Sequence, residues 1–355
     1  MVIRSFVSIK PLSPNYTQAD GLRQTHNLVR LRNVRRMKIL RRVRDRSEEM
    51  RLGAEVRKKN AGICKAHGRQ LSSAASLVLL LAGLNVAAVG QSANNPALTS
   101  LPIKTWVEQA CEREAGIIDH TGSLIRYQQH TIDARRNEVR EVIESKDGTV
   151  ARLLMRDNRP LTADEDQAER DRLQGLIDHP SEFQKHVTKD TNGKKQAIAL
   201  IKLMPDAMIY TYAADQTPSR PDAGPQVVID YVPNPKFNPP TTESQALSGL
   251  KGRVWIDARS KTVVRINAEV FQAVNFGWGI LAHIYPGGKL DVEQAAAQGN
   301  RWNMTDFHER VVVKALMVKT INVNTEVHSM DFQVLPQSLG YQDAVRELLK
   351  EPLPK

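Results

Sequence analysis

"GRVWIDARSKTVVRINAEV", residues Gly252 to Val270, consists of two apolar runs around a polar break. Val254 and Ile256 alternate with Trp255 and Asp257, Ala258 to Lys261 supply the turn, and Val263, Val264 and Ile266 resume on the return. A period of two interrupted by a short polar segment predicts a β-hairpin. Because Trp255 is apolar as well as Val254 and Ile256, both faces of this hairpin are expected to meet apolar groups. That pattern suits a sheet curling around a ligand space rather than a solid core.

Similar signals continue on either side. Downstream, "FGWGILAHIY" (276–285) and "KLDVEQ" (289–294) flank Pro286-Gly287-Gly288, and "WNMTDFHERVVVKA" (302–315) and "VKTINVNTEVHSMDFQV" (318–334) follow. Upstream, "SLIRYQQHTIDAR" (123–135), "NEVREVIESKD" (137–147) and "TVARLLMRD" (149–157) predict an antiparallel meander with one wet face, turning at Gly148. "AMIYTYA" (207–213) and "QVVIDYV" (226–232) read as further strands, and the proline-rich stretches Gln216–Pro225 and Val232–Ser244 as loops.

Four helices are expected. "IKTWVEQACEREAG" (103–116) has helical spacing and ends at Gly116. In "RPLTADEDQAERDRLQGLIDHP" (159–180), Thr162 and Glu165 form a capping box, acids crowd the first turn, and Pro180 follows, so the helix runs from Ala163 to Asp178. "QAIALIKLM" (196–204) should stop at Pro205, and "YQDAVRELLK" (341–350) before Pro352. The fold class is therefore mainly β with some α: a large antiparallel sheet carrying a few helices, with a helical and proline-rich insertion around 160–244.

"LSSAASLVLLLAGLNVAAVGQ" (71–91) carries no charge and fits an export signal. Lys65 and Arg69 precede it, Leu77 to Leu81 form its apolar core, and small residues place the cut after Gly90, or else after Ala88. An uncleaved anchor is the rival reading, disfavoured because the apolar core is shorter than the roughly 20 residues of a spanning helix. Residues 1–70 are then a basic extension ahead of the signal, with translation expected to begin at Met50 or a nearby alternative start. The basic run Arg30 to Arg46 otherwise suggests an arm for nucleic acid, but no aromatic interleaving or DNA-binding motif accompanies it.

The chain of 355 residues has a net charge of +11, and residues 1–90 account for more than all of it, with 18 Lys+Arg against 5 Asp+Glu. Residues 91–355 hold 32 and 34, a balance of −2 that gives no electrostatic case for nucleic acid. They are also enough for one domain with a proper core. Cys111 is the single cysteine after residue 90, so no disulfide can form within that part, and its helical stripe Ile103, Val107, Cys111, Ala115 marks it as a packing residue.

No G-x-S-x-G, H-E-x-x-H, C-x-x-C or phosphate-binding glycine loop occurs, so no enzyme is expected. Adjacent residues on a helix point in different directions, so Asp164, Glu165 and Asp166 cannot converge on one ion. The histidines at 120, 130, 179, 186, 283, 308 and 328 stand singly. Strands could bring His283, His308 and His328 together, but ordinary surface histidines are expected, with no metal or cofactor.

The pattern of Trp255, Ile256 and Asp257, a polar turn, then Val263, Val264 and Arg265 resembles the hairpin of the LolA/LolB superfamily of outer-membrane lipoprotein-sorting proteins. The resemblance extends with falling clarity to about Phe332 and covers about half of residues 91–355. It implies an unclosed, strongly curved β-barrel whose helices lie as a lid over an apolar cavity for acyl chains, in the periplasm. A lipid or lipidated protein would be the partner, with transient membrane contact. Phe271, Phe276, Trp278, Ile280, Tyr285, Trp302, Met304, Phe307 and Leu316, with Met317, are the candidate lining, since the sparse aromatics gather there. An envelope scaffold or sensor of the same fold, binding a protein partner, is the alternative.

Overall fold

A computed structural model describes residues 96–119, 124–276, 281–297, 301–335 and 338–354. The apolar stretch 71–91 with its expected cut, the basic run 30–46, and Trp278 and Ile280 lie outside the described residues.

Among the described residues thirteen antiparallel strands form one sheet: β1 (Ile125–Asp133), β2 (Arg136–Ser145), β3 (Gly148–Arg156), β4 (Arg159–Pro160), β5 (Met208–Tyr212), β6 (Gln226–Pro233), β7 (Leu250–Asp257), β8 (Val263–Val270), β9 (Val274–Phe276), β10 (Ala282–Ile284), β11 (Lys289–Ala297), β12 (Arg301–Ala315) and β13 (Lys319–Val334). Their spatial order is β4-β3-β2-β1-β13-β12-β11-β8-β7-β6-β5, with β9 and β10 attached beside β12. The two ends do not pair, so the barrel stays unclosed, as expected from the sequence.

Among the described residues five α-helices accompany the sheet: the short α1 (Pro96–Thr99), α2 (Ile103–Ile118), α3 (Ala163–Asp178), α4 (Pro180–Ala207) and α5 (Tyr341–Lys350). α2 lays Trp106, Val107 and Ala110 on Val227, Ile229, Val254 and Ile256 of β6 and β7. α3 and α5 pack Leu173, Ala344, Val345 and Leu348 on Ile143 and Val150 of β2 and β3. Thr162 caps α3 with the expected reciprocal bonds to Glu165.

Two elements depart from expectation. α4 starts at Pro180 and runs 28 residues, through Pro205 to Ala207. Pro180 suits a first helical position, where its missing N–H is no loss, while Pro205 falls in the last turn and removes only one bond. Phe183 near the start of α4 packs in the cluster with α3 and α5, whereas Leu200 near its end packs against Met208, Tyr231 and Ala268, so burial at both ends outweighs the weak propensity of the middle.

The second departure concerns the strands around Pro286-Gly287-Gly288. They do not form a hairpin with each other: β10 pairs with β9 and β12, and β11 pairs with β8 and β12. Gly287, at φ +89°, instead lets its N–H and the Gly288 carbonyl both bond Val270.

The hairpin 252–270 shows why its residues stand where they do. Trp255 and Ile256 point to opposite faces: Ile256 enters the core under α2, while the Trp255 indole donates to the Thr217 carbonyl oxygen at 3.0 Å, beneath Arg253 and Arg265. Asp257 closes the turn, its Oδ1 accepting from the backbone N–H of Ser260 at 2.7 Å and of Arg259 at 3.1 Å.

Candidate functional site

From β6 to β13, register assigns each side chain to one of two faces. One face is apolar: Ile229, Val254 and Ile266 lie in register, and Val292, Phe307 and Val327 continue the row. The opposite face is charged. Asp230 bonds Arg253 at 2.5 Å, Arg265 bonds Asp291 at 2.6 Å, and Arg265 also reaches Glu293 at 3.2 Å. Arg265, Asp291, Asp306, His308 and Glu326 line an open concavity of about 960 Å³ on this polar face.

The candidate lining residues fall into several places. Phe276 is buried with Val270, Ala282, Ile284, Val311 and Val313. Phe307 is buried with Val292 and Val327, and Met304 packs against them. Trp302 packs half-buried beside Trp255 and Val264. Phe271, Tyr285, Leu316 and Met317 are exposed.

Leu316 and Met317 belong to a larger apolar end. β12 and β13 are joined by Leu316-Met317-Val318, which are 43, 60 and 85 % exposed. Leu281 lies beside them, its carbonyl oxygen accepting from the Leu316 N–H at 3.1 Å, and Tyr285 bonds the Val312 carbonyl through its own N–H at 3.0 Å. Leu316 and Met317 both hold positive φ, +48° and +58°, a backbone region that costs a bulky residue about 1 kcal/mol. Lys314 and Lys319 flank the turn. The Phe276 cluster lies directly behind, through Ala282 and Val313.

Histidines do come together on the polar face. His328 Nδ1 lies 2.8 Å from Asp306 Oδ1, and the rings of His308 and His328 meet edge to face with centroids 5.2 Å apart. His283 stands apart, bonded to Asn275 and packed edge-on to Tyr285. The local signal was the Asp-Phe-His triplet 306–308, which an extended strand turns into two side chains on one face. Its partner His328 could not be placed without the register of β13.

Cys111 is half-buried, and burial, with Glu114 and Glu108 nearby, pushes its thiol up to about 12. It therefore stays protonated and packs against the cluster under α2. The acids of α3 are taken up by arginines: Glu165 by Arg159 and Arg156, Asp166 by Arg152 and Arg170. Among the described residues no helix is long and apolar enough to cross a membrane.

No protein-family profile and no curated protein matches the chain. Among solved structures, it is similar to one described as an outer-membrane lipoprotein-sorting protein domain from Vibrio parahaemolyticus, at 11% identity and a TM-score of 0.28, over 69% of this chain and 98% of that one.

Proposed function

We propose that the chain is a non-enzymatic binding protein of the bacterial envelope that carries a lipid, or the acyl chains of a lipoprotein, and meets a membrane through the end of the β12–β13 hairpin. The observation that carries this reading is the exposure of Leu316, Met317 and Val318 on a turn held at positive φ, beside Leu281. Three adjacent apolar side chains held out into water are accounted for if an apolar phase receives them. Lys314 and Lys319 would face anionic headgroups. Each CH₂ that enters the acyl region contributes about 0.8 kcal/mol, so three such side chains suffice for reversible contact.

The buried Phe276, with Phe307 and Met304 further along the sheet, offers an apolar interior into which an acyl chain could pass if the helices shift. The hairpin resemblance and the uncharged stretch 71–91 support an exported protein.

The test is flotation of the protein with vesicles containing anionic phospholipid, together with native mass spectrometry of the protein as purified. Binding that drops about tenfold or more in Met317→Asp and Val318→Asp, at unchanged melting temperature, supports the proposal. Absence of vesicle binding and of lipid adducts overturns it and favours a scaffold of the same fold with a protein partner.

A further inference from the structure

Asp306 and His308 are two apart on β12, so they project from the same face of the sheet. His328 on β13 is the register partner of Asp306, and its side chain emerges on that face too. One donor atom from each of the three can be chosen so that all lie within 4.8 Å of one another. A tetrahedral zinc ion with bonds of about 2.1 Å holds its donors about 3.4 Å apart, so modest side-chain rotation closes the gap.

The orienting bonds suit ligation. His328 Nδ1 already faces Asp306 Oδ1 at 2.8 Å, so an ion entering between these two atoms would replace the proton they share. His130 on β1 is the register partner of His328, with ring centroids 6.4 Å apart. Its Nε2 lies 2.8 Å from Asn137 Oδ1, so a neutral His130 has its lone pair on Nδ1. The His130 ring is thus fixed by a partner outside the cluster, as metal-binding imidazoles usually are.

Charge favours a cation as well. Glu293 stands opposite Asp306, and Asp291 and Glu326 stand opposite His308. Arg265 pairs with both Asp291 and Glu293, one positive charge against two negative, and Asp306 and Glu326 stand beside the two imidazoles. Like charges directly opposite in a sheet repel, and a bound cation relieves that repulsion.

We propose that Asp306, His308 and His328 bind one divalent cation of the zinc type, with a fourth position open to solvent or to His130. Two imidazoles and one carboxylate select zinc, nickel, cobalt or copper over magnesium and calcium, which prefer all-oxygen sites. The ion would tie β12 to β13 on the face opposite Phe307 and Val327. This site is independent of the apolar hairpin end and of the carrier reading.

The experiment is equilibrium dialysis of the full chain, stripped with chelator, against zinc at up to about 100 μM, in parallel with His308→Ala, His328→Ala and His283→Ala. One equivalent bound by the unaltered protein and by His283→Ala, weakened about tenfold or more in the other two variants, supports the site. Cobalt in place of zinc should give the visible absorption of a four-coordinate ion, lost in His328→Ala. No binding by the unaltered protein, or equal binding by His308→Ala and His328→Ala, overturns the proposal, since metal would then be held elsewhere or not at all.

Discussion

Tyr231 crosses Gly252 to reach the next strand: the two are register partners on β6 and β7, and the Tyr231 hydroxyl donates to the Asn267 carbonyl oxygen of β8 at 2.8 Å. A Cβ on Gly252 would sit 2.0 Å from that carbonyl oxygen and 2.7 Å from the hydroxyl. Gly252 is therefore required by close approach rather than by turn geometry. Gly252→Ala should destabilise by about 2 kcal/mol or more, because a backbone atom cannot move aside as a side chain can. Urea unfolding measures it, and an unchanged midpoint would show that the sheet gives way there.

Arg152 is completely buried on β3 and holds three elements together. Its guanidinium donates to Asp166 Oδ1 of α3 at 2.7 Å, to the Leu348 carbonyl of α5 at 2.8 Å, and to the Glu351 carbonyl beyond it. Arg152→Met keeps the volume and removes the donors, and should cost about 3 kcal/mol or more, since buried acceptors lose their partner. Chemical denaturation followed by circular dichroism reads the loss.

The capping box of α3 predicts an acid-side effect. Thr162→Ala should cost about 1 kcal/mol. Hydrogen bonds from Arg159 and the Thr162 backbone hold the Glu165 carboxyl down at about 2. A carboxyl lowered on folding contributes stability that is present above its ordinary range and lost as pH falls toward 2. Melting curves of Glu165→Gln should therefore lie below those of the unaltered protein at neutral pH and converge with them in acid.

Glu114 on α2 has the opposite sign. Its oxygens accept from the Val263 N–H at 2.9 Å and from Gln294 Nε2 at 2.8 Å, joining α2 to β8 and β11. Burial outweighs these bonds and the nearby Arg113 charge, and raises its carboxyl above the usual range. The folded protein then keeps a proton that the unfolded chain has released, so stability falls as pH rises through that window. Glu114→Gln should flatten this decline; a decline as steep as before would place the titration on another group.

Local chemistry made much of the fold legible. The capping box at Thr162, the alternation in 252–270 and the segment 341–350 each carry their signal within a few residues. What escaped depends on distant partners. The first half of α4 is helical because Phe183 and Val187 bury beside α3 and α5, although Thr188, Thr191 and Gly193 weaken the local preference. β10 leaves β11 for β12, a choice made by residues some thirty positions away. The Asp306, His308 and His328 cluster escaped for the same reason, since the Asp-Phe-His triplet is silent until β13 is set in register beside it.

The pairing of Ile125 with Val334 places the first long strand of the sheet beside the last, about 200 residues later in the chain. β1 therefore lacks one of its two neighbours until nearly the whole polypeptide is free to fold. Contacts at that separation make folding slow, because loop-closure entropy must be overcome before the contact stabilises anything. If the chain is exported as proposed, that delay would keep the segment beginning at β1 extended until its C-terminal partner arrives on the same side.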